Sequence, residues 1–385
     1  MSSIIALRRS LFLVSLPLFF INFILPIKSK ELGASALEIG GLFSLFTFSL
    51  VLLRPIVGIW VDRVGRKVFF VGALLLYAFA YLGYAGSEDL VAMYIARFCQ
   101  GIGASLLLIT VDTITTDLTP ALDRGQALGR NVETQTRASM LGATIGFMLV
   151  GAIPALAWEY SFYLFAFAAL LGVLVAVTKL KQTGGSGVLA TIDQKYSASA
   201  GFKQFLPVLV LLGFASTLVQ PIFLVYLQDK FTTDIRILAW AFLPMGILYT
   251  VLPSRTGKLA DRFGPMNVLI AGAVITGLVY LAIPAVKNYW WLVVVFTISA
   301  VGWALIEPAR KAFVANQGDQ SRIAMNFGVS EFAFGIGATL GPLAGGYLYD
   351  IFDFRAPLVT TTLVLTIVVL LVKFYLPRDV VANQV

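Results

Sequence analysis

The sequence predicts an all-α membrane protein of twelve transmembrane helices, built as two pseudo-symmetric six-helix bundles. Three observations carry that expectation. Charged residues make up only 12% of the 385 residues and hydrophobic residues 59%, whereas a soluble domain carries about 25% charge. The apolar residues fall into runs near the roughly 20 residues that a helix needs to cross a bilayer. Finally, a set of motifs returns at one fixed offset of 199 positions. Lipid must therefore be the solvent for most of the chain, which is an integral membrane protein.

Span 1 (10–28) carries "SLFLVSLPLFFINFILPI". The "IKSKELG" after it is not a small-residue cleavage site and another apolar run follows at once, so this is a retained helix and not a leader. Span 2 (37–58) holds Arg54-Pro55 and runs into "GIWVDRVGRK". There Asp62, Arg63, Arg66 and Lys67 crowd a short turn before span 3 (68–86). Gly58 lets another helix approach closely, Gly65 permits the tight turn, and Asp62 can accept from an Arg or a helix N-terminus. Span 4 (90–116) includes Arg97 and the single Cys99. Span 5 (130–153) opens on "RNVETQTR", a run too polar to face lipid. Its Glu133 and Arg137 are four apart, hence on one face and within pairing reach. Span 6 (160–178) completes the first bundle. Residues 179–203, rich in Gly and Ser with four lysines, read as a solvated linker. The expected domains are 1–178, the linker 179–203, and 204–385.

The second bundle begins with spans 7 (204–227) and 8 (236–256). A worn copy of the charged turn, "GKLADRFGPM" with Asp261 and Arg262, leads into span 9 (268–285). Span 10 (290–313) has Glu307 before Pro308, then Arg310 and Lys311 three and four residues on. Span 11 (325–347) carries Glu331 and a glycine-rich run, and span 12 (356–376) ends the set. An ionisable group inside a span costs about 2.5–3.5 kcal/mol on insertion scales, so such groups find partners or line water. Arg97, Glu133, Arg137, Glu307, Arg310 and Glu331 are accordingly the expected proton- or substrate-coupling groups. Structural readings stand beside each: Arg97 could snorkel to the outer interface, Glu133–Arg137 could close the cytoplasmic mouth, and Glu307–Arg310 could simply tie helix 10 to its neighbours.

The loops set the orientation. Only Lys28, Lys30, Lys230, Arg236, Lys287 and Arg355 fall on one side, and most other Lys and Arg fall with the two termini and the linker. By the positive-inside rule that richer side is cytoplasmic. The net charge of +8 follows from this bias and needs no nucleic-acid partner. Gly58, Asp62, Arg63 and Gly65 pair at an offset of 199 with Gly257, Asp261, Arg262 and Gly264. "LGATIG" (141–146) pairs with "LGPLAG" (340–345), and Gly129 with Gly328, at the same offset. Two like-oriented halves imply a two-fold axis along the membrane normal with a site between them.

Several chemistries do not suit this chain. It has no histidine and one cysteine, so the commonest general base and metal ligand are missing and no internal disulfide can form. Proton handling would fall to carboxylates. No Walker loop is present, so ATP hydrolysis is not the driver. No enzyme activity, metal or cofactor is expected.

"GIWVDRVGRK" resembles the loop 2–3 signature of the major facilitator superfamily, and length, spans and linker agree with it over the whole chain. "RFCQGIGAS" is similar to the family's helix 4 pattern at Arg97, Gln100, Gly101 and Gly103. "GVSEFAFGIGATLGPLAGG" in helix 11 has Gly328, Gly337, Gly341, Pro342, Gly345 and Gly346 at the spacing of the antiporter signature, which drug/proton antiporters carry in helix 5. Here helix 5 keeps Gly129, Gly142 and Gly146 but has Ala138 and Ala143 where Gly and Pro are expected. The resemblance implies a transporter of the exporter branch. Its cytoplasmic gate motif would be Gly58, Asp62, Arg63, Gly65, Arg66 and Lys67 with Asp261 and Arg262. Its close helix packing would rest on Gly101, Gly103, Gly142, Gly146, Gly337, Gly341, Pro342 and Gly345.

The expected function is proton-coupled efflux of a small amphipathic or hydrophobic compound by alternating access. Uptake or facilitated diffusion of a polar nutrient or organic anion, or lipid flipping by the same fold, are the alternatives. The cations Arg97, Arg137 and Arg310 would suit an anion, and Asn22 and Gln220 are the few sugar-like polar groups. The expected partners are a small-molecule substrate, protons and membrane lipids, with no nucleic acid. The expected setting is a monomer in a prokaryotic inner membrane.

Overall fold

The computed structural model describes residues 3–120, 123–153, 156–183, 199–242, 244–245, 248, 252–315 and 323–376. Among them every regular element is a helix. The chain divides into two compact units, Met1–Ala34 with Leu45–Gln194, and Ser35–Ser44 with Lys195–Val385.

The first unit contains α1 (Ser3–Ser15), α2 (Leu18–Glu31), most of α3 (Ala36–Val64), α4 (Arg66–Ala85), α5 (Leu90–Leu118), α6 (Arg124–Ala152) and α7 (Ala157–Lys179). Span 1 is thus two helices, interrupted at Leu16–Pro17, where Pro17 has no N–H for the helical ladder. The Asp89 carboxylate caps α5 by accepting from the Ala92 N–H at 2.8 Å, which satisfies one of its orphan donors. α4 packs along α5 and α7, and α1 lies along α7 and α6. Trp158 on α7 donates its indole N–H to the Tyr84 carbonyl at 2.6 Å and meets the Tyr84 ring edge-on, centroids 6.3 Å apart.

The second unit contains α8 (Ala200–Leu218), α9 (Gln220–Lys230), α10 (Ile235–Ala239), α11 (Pro253–Phe263), α12 (Pro265–Ala282), α13 (Tyr289–Ala315), α14 (Ile323–Ile351) and α15 (Arg355–Leu370). A 3-10 turn at Ile283–Ala285 follows α12 and a π turn at Leu371–Tyr375 follows α15. Phe202, Phe205, Leu209, Phe313 and Leu365 are buried in its core. α8 packs along α14, where small residues let the backbones meet. The first turns of α3 belong to this unit: the Asp350 carboxylate at the end of α14 accepts from the Ala36 and Leu37 N–H groups at 3.0 and 2.8 Å. Asp234 similarly caps α10, and hydrogen bonds from Arg236 hold its carboxyl below the usual carboxylate range.

Among the described residues nine helices are long and apolar enough to cross a membrane. Spans 2, 5 and 8 are not among those nine, each for its own reason. Of α3 only the apolar stretch Ala36–Val51 counts, since the side chains of 52–60 and 62–64 lie outside the described residues. α6 has the length, 29 residues, but begins with the polar run around Glu133 and Arg137. In span 8 only the five-residue α10 and scattered positions are described. Most of the linker, residues 184–198, also lies outside them.

The internal repeat is visible in the backbone. Gly65 and Gly264, 199 positions apart, both have positive φ, 107° and 82°. Each starts the helix after the charged turn by a conformation that other residues rarely adopt. The first helix of each half is interrupted too, at Pro17 and at Val219.

Candidate functional site

Two polar constellations are built inside the apolar bundles, one in each unit. In the first unit a cavity of about 230 Å³ opens between α2, α3, α4, α5 and α6. α5 supplies one wall with Arg97, Gln100, Ala104, Leu107 and Leu108, which its 3.6-residue period places on one face. Leu18 and Asn22, Phe46 and Leu50, Tyr77, and Gln135 complete the lining.

Arg97 is 2% exposed and lines this cavity. Its Nη1 donates to Gln100 Oε1 at 2.8 Å, and its guanidinium lies 4.4 Å from the centre of the Phe46 ring. Gln100 Oε1 also accepts from the Tyr84 hydroxyl at 2.8 Å. Tyr84 is fully buried and anchored through its carbonyl, which takes the Trp158 N–H and the Ser87 hydroxyl. The guanidinium is therefore held by a chain of buried groups, not by a loop.

In the second unit Arg310 on α13 sits between two carboxylates. Nε and Nη2 donate to Glu307 Oε2 and Oε1 at 3.0 and 2.7 Å, a bidentate pair one turn apart on the same helix. Nη1 donates to Glu331 Oε1 of α14 at 3.0 Å, and Lys311 Nζ lies 3.0 Å from Glu307 Oε1. The guanidinium lies 4.5 Å from the centre of the Phe334 ring. Arg310 is 2% exposed, but Glu307 and Glu331 keep 44% and 34% of their side chains accessible. A buried cation thus faces two partly exposed carboxylates.

The other expected residues are placed elsewhere. Glu133 and Arg137 do pair, but both side chains are exposed. It is Gln135, about 200° round the helix from them, that lines the cavity. In the charged turn Arg66 pairs with Asp117 at the end of α5 and donates to the Thr113 carbonyl at 2.9 Å. Lys67 donates to the Val177 carbonyl of α7 at 2.8 Å, so these two cations tie the start of α4 to two neighbouring helix ends. Arg262 is exposed beside the Phe263 ring. Of Gly58 nothing beyond its place in α3 is described, and the side chains of Asp62, Arg63 and Asp261 lie outside the described residues.

The glycines sit at close approaches. A Cβ on Gly101 would lie 2.7 Å from the Phe46 carbonyl oxygen, and one on Gly103 3.2 Å from Leu76 and Tyr77. At Gly142 it would overlap the Leu16 carbonyl, and at Gly146 it would meet the Phe20 ring at 2.5 Å. At Gly337 and Gly345 it would overlap the Val210 and Leu218 carbonyls of α8, and at Gly341 the Thr217 hydroxyl. Pro342 lies inside α14, with its carbonyl against Gly40.

Sequence reasoning named Arg97 but not its setting. Tyr77, Tyr84 and Gln135 are ordinary residue types drawn from two other helices. The face formed by positions 97, 100, 104, 107 and 108 was the available signal.

Comparison with known proteins bears on what such an arrangement serves. The family model for the Major Facilitator Superfamily matches residues 10–207 and 205–384. Multidrug resistance protein 1 of Bacillus subtilis (strain 168) is 25% identical over 378 residues, covering 94% of this chain and 93% of that protein. Quinolone resistance protein NorA of Staphylococcus aureus (strain COL) is 21% identical over 365 residues, with 90% of each covered. Among solved structures, a bacterial homolog of the human lysosomal transporter Spinster superposes with a TM-score of 0.79 at 14% identity, covering 99% and 97% of the two chains. A mutant of the nucleoside transporter NupG superposes at 0.76 and 15% identity, covering 97% and 99%. These two likenesses speak to the fold.

Proposed function

The chain belongs to the Major Facilitator Superfamily, and from that premise we propose that this membrane transporter is a proton-coupled exporter of small amphipathic compounds. The similarity to a multidrug resistance protein and a quinolone resistance protein over nine-tenths of the chain supports export. Both relatives are bacterial, which supports a bacterial inner membrane, and the loop charges support cytoplasmic termini. In this reading the protein works as a monomer by alternating access. The turn around Gly65, Arg66 and Lys67 serves as its cytoplasmic gate.

One observation carries the proton coupling: the fully buried Arg310 bonded to Glu307 and Glu331, which both stay accessible. Protonating Glu307 breaks a charge-assisted bidentate pair, and Arg310 can then rely on Glu331 alone. A substrate step that favours one of those arrangements is thereby linked to proton uptake or release. Arg97 and Gln135 in the cavity serve the substrate, and Glu133–Arg137 serve its access.

The test is proton flux. Purified protein in liposomes with an internal pH dye is challenged with lipophilic cations, neutral amphiphiles and organic anions. Substrate-triggered proton movement in wild type, and its loss in Glu307→Gln, is the expected result. Tracer equilibration with no proton movement in wild type would remove coupling from the proposal. Coupling that survives in Glu307→Gln and disappears in Glu331→Gln would move the proton to helix α14.

A further inference from the structure

We propose that the cavity of the first unit is an anion subsite, which takes the carboxylate of an otherwise apolar substrate. The inference deepens the exporter reading and rests on it for the word substrate. It is carried by the kind of polar groups that the cavity presents. Its charge, among the described lining residues, is that of Arg97, and no carboxylate is among them.

The amide beside Arg97 adds to this. An amide oxygen has two lone pairs, and Gln100 Oε1 already accepts from Arg97 Nη1 and from the Tyr84 hydroxyl at 2.8 Å each. What Gln100 has left to offer a ligand is its NH2, a donor. Tyr77 adds a phenolic hydroxyl to the same lining. Leu18, Leu50 and Leu107 supply an apolar remainder. The planar guanidinium matches a carboxylate in a way that a point charge does not. The anchoring of Gln100 by buried Tyr84 fixes the donors before a ligand arrives, which reduces the entropy lost on binding. A permanently cationic compound would instead meet a like charge at Arg97.

The test uses one ring system with three head groups: 2-naphthylacetate, its methyl ester, and (2-naphthylmethyl)trimethylammonium. Binding to the full-length protein is measured in detergent micelles, and movement of each compound in proteoliposomes. The carboxylate is expected to bind about ten- to a hundred-fold more tightly than the ester, the range of a hydrogen bond to a charged group. Arg97→Gln should bring the carboxylate down to the ester and leave the ester unchanged, which also reports that the variant is folded. Gln100→Glu keeps the side-chain size and gives Arg97 an internal carboxylate, so the preference for the anion should be lost.

An ester bound as tightly as the carboxylate in wild type overturns the inference. So does a carboxylate preference that persists in both variants. If the carboxylate binds through Arg97 but none of the three compounds crosses the membrane, the subsite stands and the exporter reading falls. If only the ester or the ammonium compound is moved and bound, the exporter reading stands and the subsite falls.

Discussion

Among the described residues each unit has one buried arginine, and the two are treated differently. Arg97 and Arg310 are both 2% exposed and both lie over a phenylalanine ring, at 4.4 and 4.5 Å. Arg310 is answered by two carboxylates and shares one of them with Lys311. The contacts described for Arg97 include the amide of Gln100 and the ring of Phe46. The first is a cluster of balanced charge, in which any change of protonation must reorganise the rest. The second is a fixed cation in a polar-tipped, apolar space. Burial alone therefore says little of what an intramembrane arginine does.

The largest expected effect breaks the comparison at its balanced end. Arg310→Ala should leave Glu307 to Lys311 alone and Glu331 without the guanidinium, and cost about 3 kcal/mol of unfolding free energy, read by denaturant titration in mixed micelles. Adding Glu307→Gln and Glu331→Gln to an Arg310→Met background should recover most of that loss, since neutral groups no longer need the cation. No recovery would mean that packing, not charge, is what Arg310 supplies.

Arg97→Ala should cost less, about 1–2 kcal/mol, because it removes the hydrogen bond to the Gln100 amide and the contact with the Phe46 ring. Equal losses at the two arginines would erase the distinction drawn above. A second pair sharpens it from the side of true repeat equivalents. Gly65→Ala and Gly264→Ala each force a side chain into positive φ, at 107° and 82°, and should each cost about 1–3 kcal/mol. Unequal melting shifts of the two would show that only one turn keeps its structural role. The smallest effect belongs to Gly129→Ala and Gly328→Ala, also 199 apart, where a Cβ meets nothing within 4 Å. Both helices should be unchanged or stabilised by about 0.5–1 kcal/mol, visible as a small rise in melting temperature.

Much of this fold is legible in the sequence because the membrane enforces it. Hydrocarbon demands helices of a set length, so the apolar runs map onto α4, α5, α7, α12 and α13 with small changes at the ends. The repeat is readable because the same turn needs the same glycine twice. Span 1 and span 7 were less readable as interrupted helices, since a proline inside an apolar run is tolerated in many spans. The Glu307–Arg310 contact follows from spacing on one helix, whereas Glu331 reaches it across a helix pair that no local pattern encodes. The polar start of α6 shows the same limit of local pattern. Its charges are conspicuous, but the uncharged Gln135 between them is what faces the cavity. Helix phase could have separated the two faces, and the direction of the bundle interior could not be known without the neighbours.

Trp158 has an optical consequence. Its indole N–H is bonded to the carbonyl of the same tyrosine whose hydroxyl holds Gln100, which in turn holds Arg97. The chain carries six tryptophans. A version that keeps this one and has phenylalanine at the other five would carry a fluorophore wired to the cavity wall. Emission wavelength and quenching would then follow occupancy in real time, with no label attached and no substrate made radioactive.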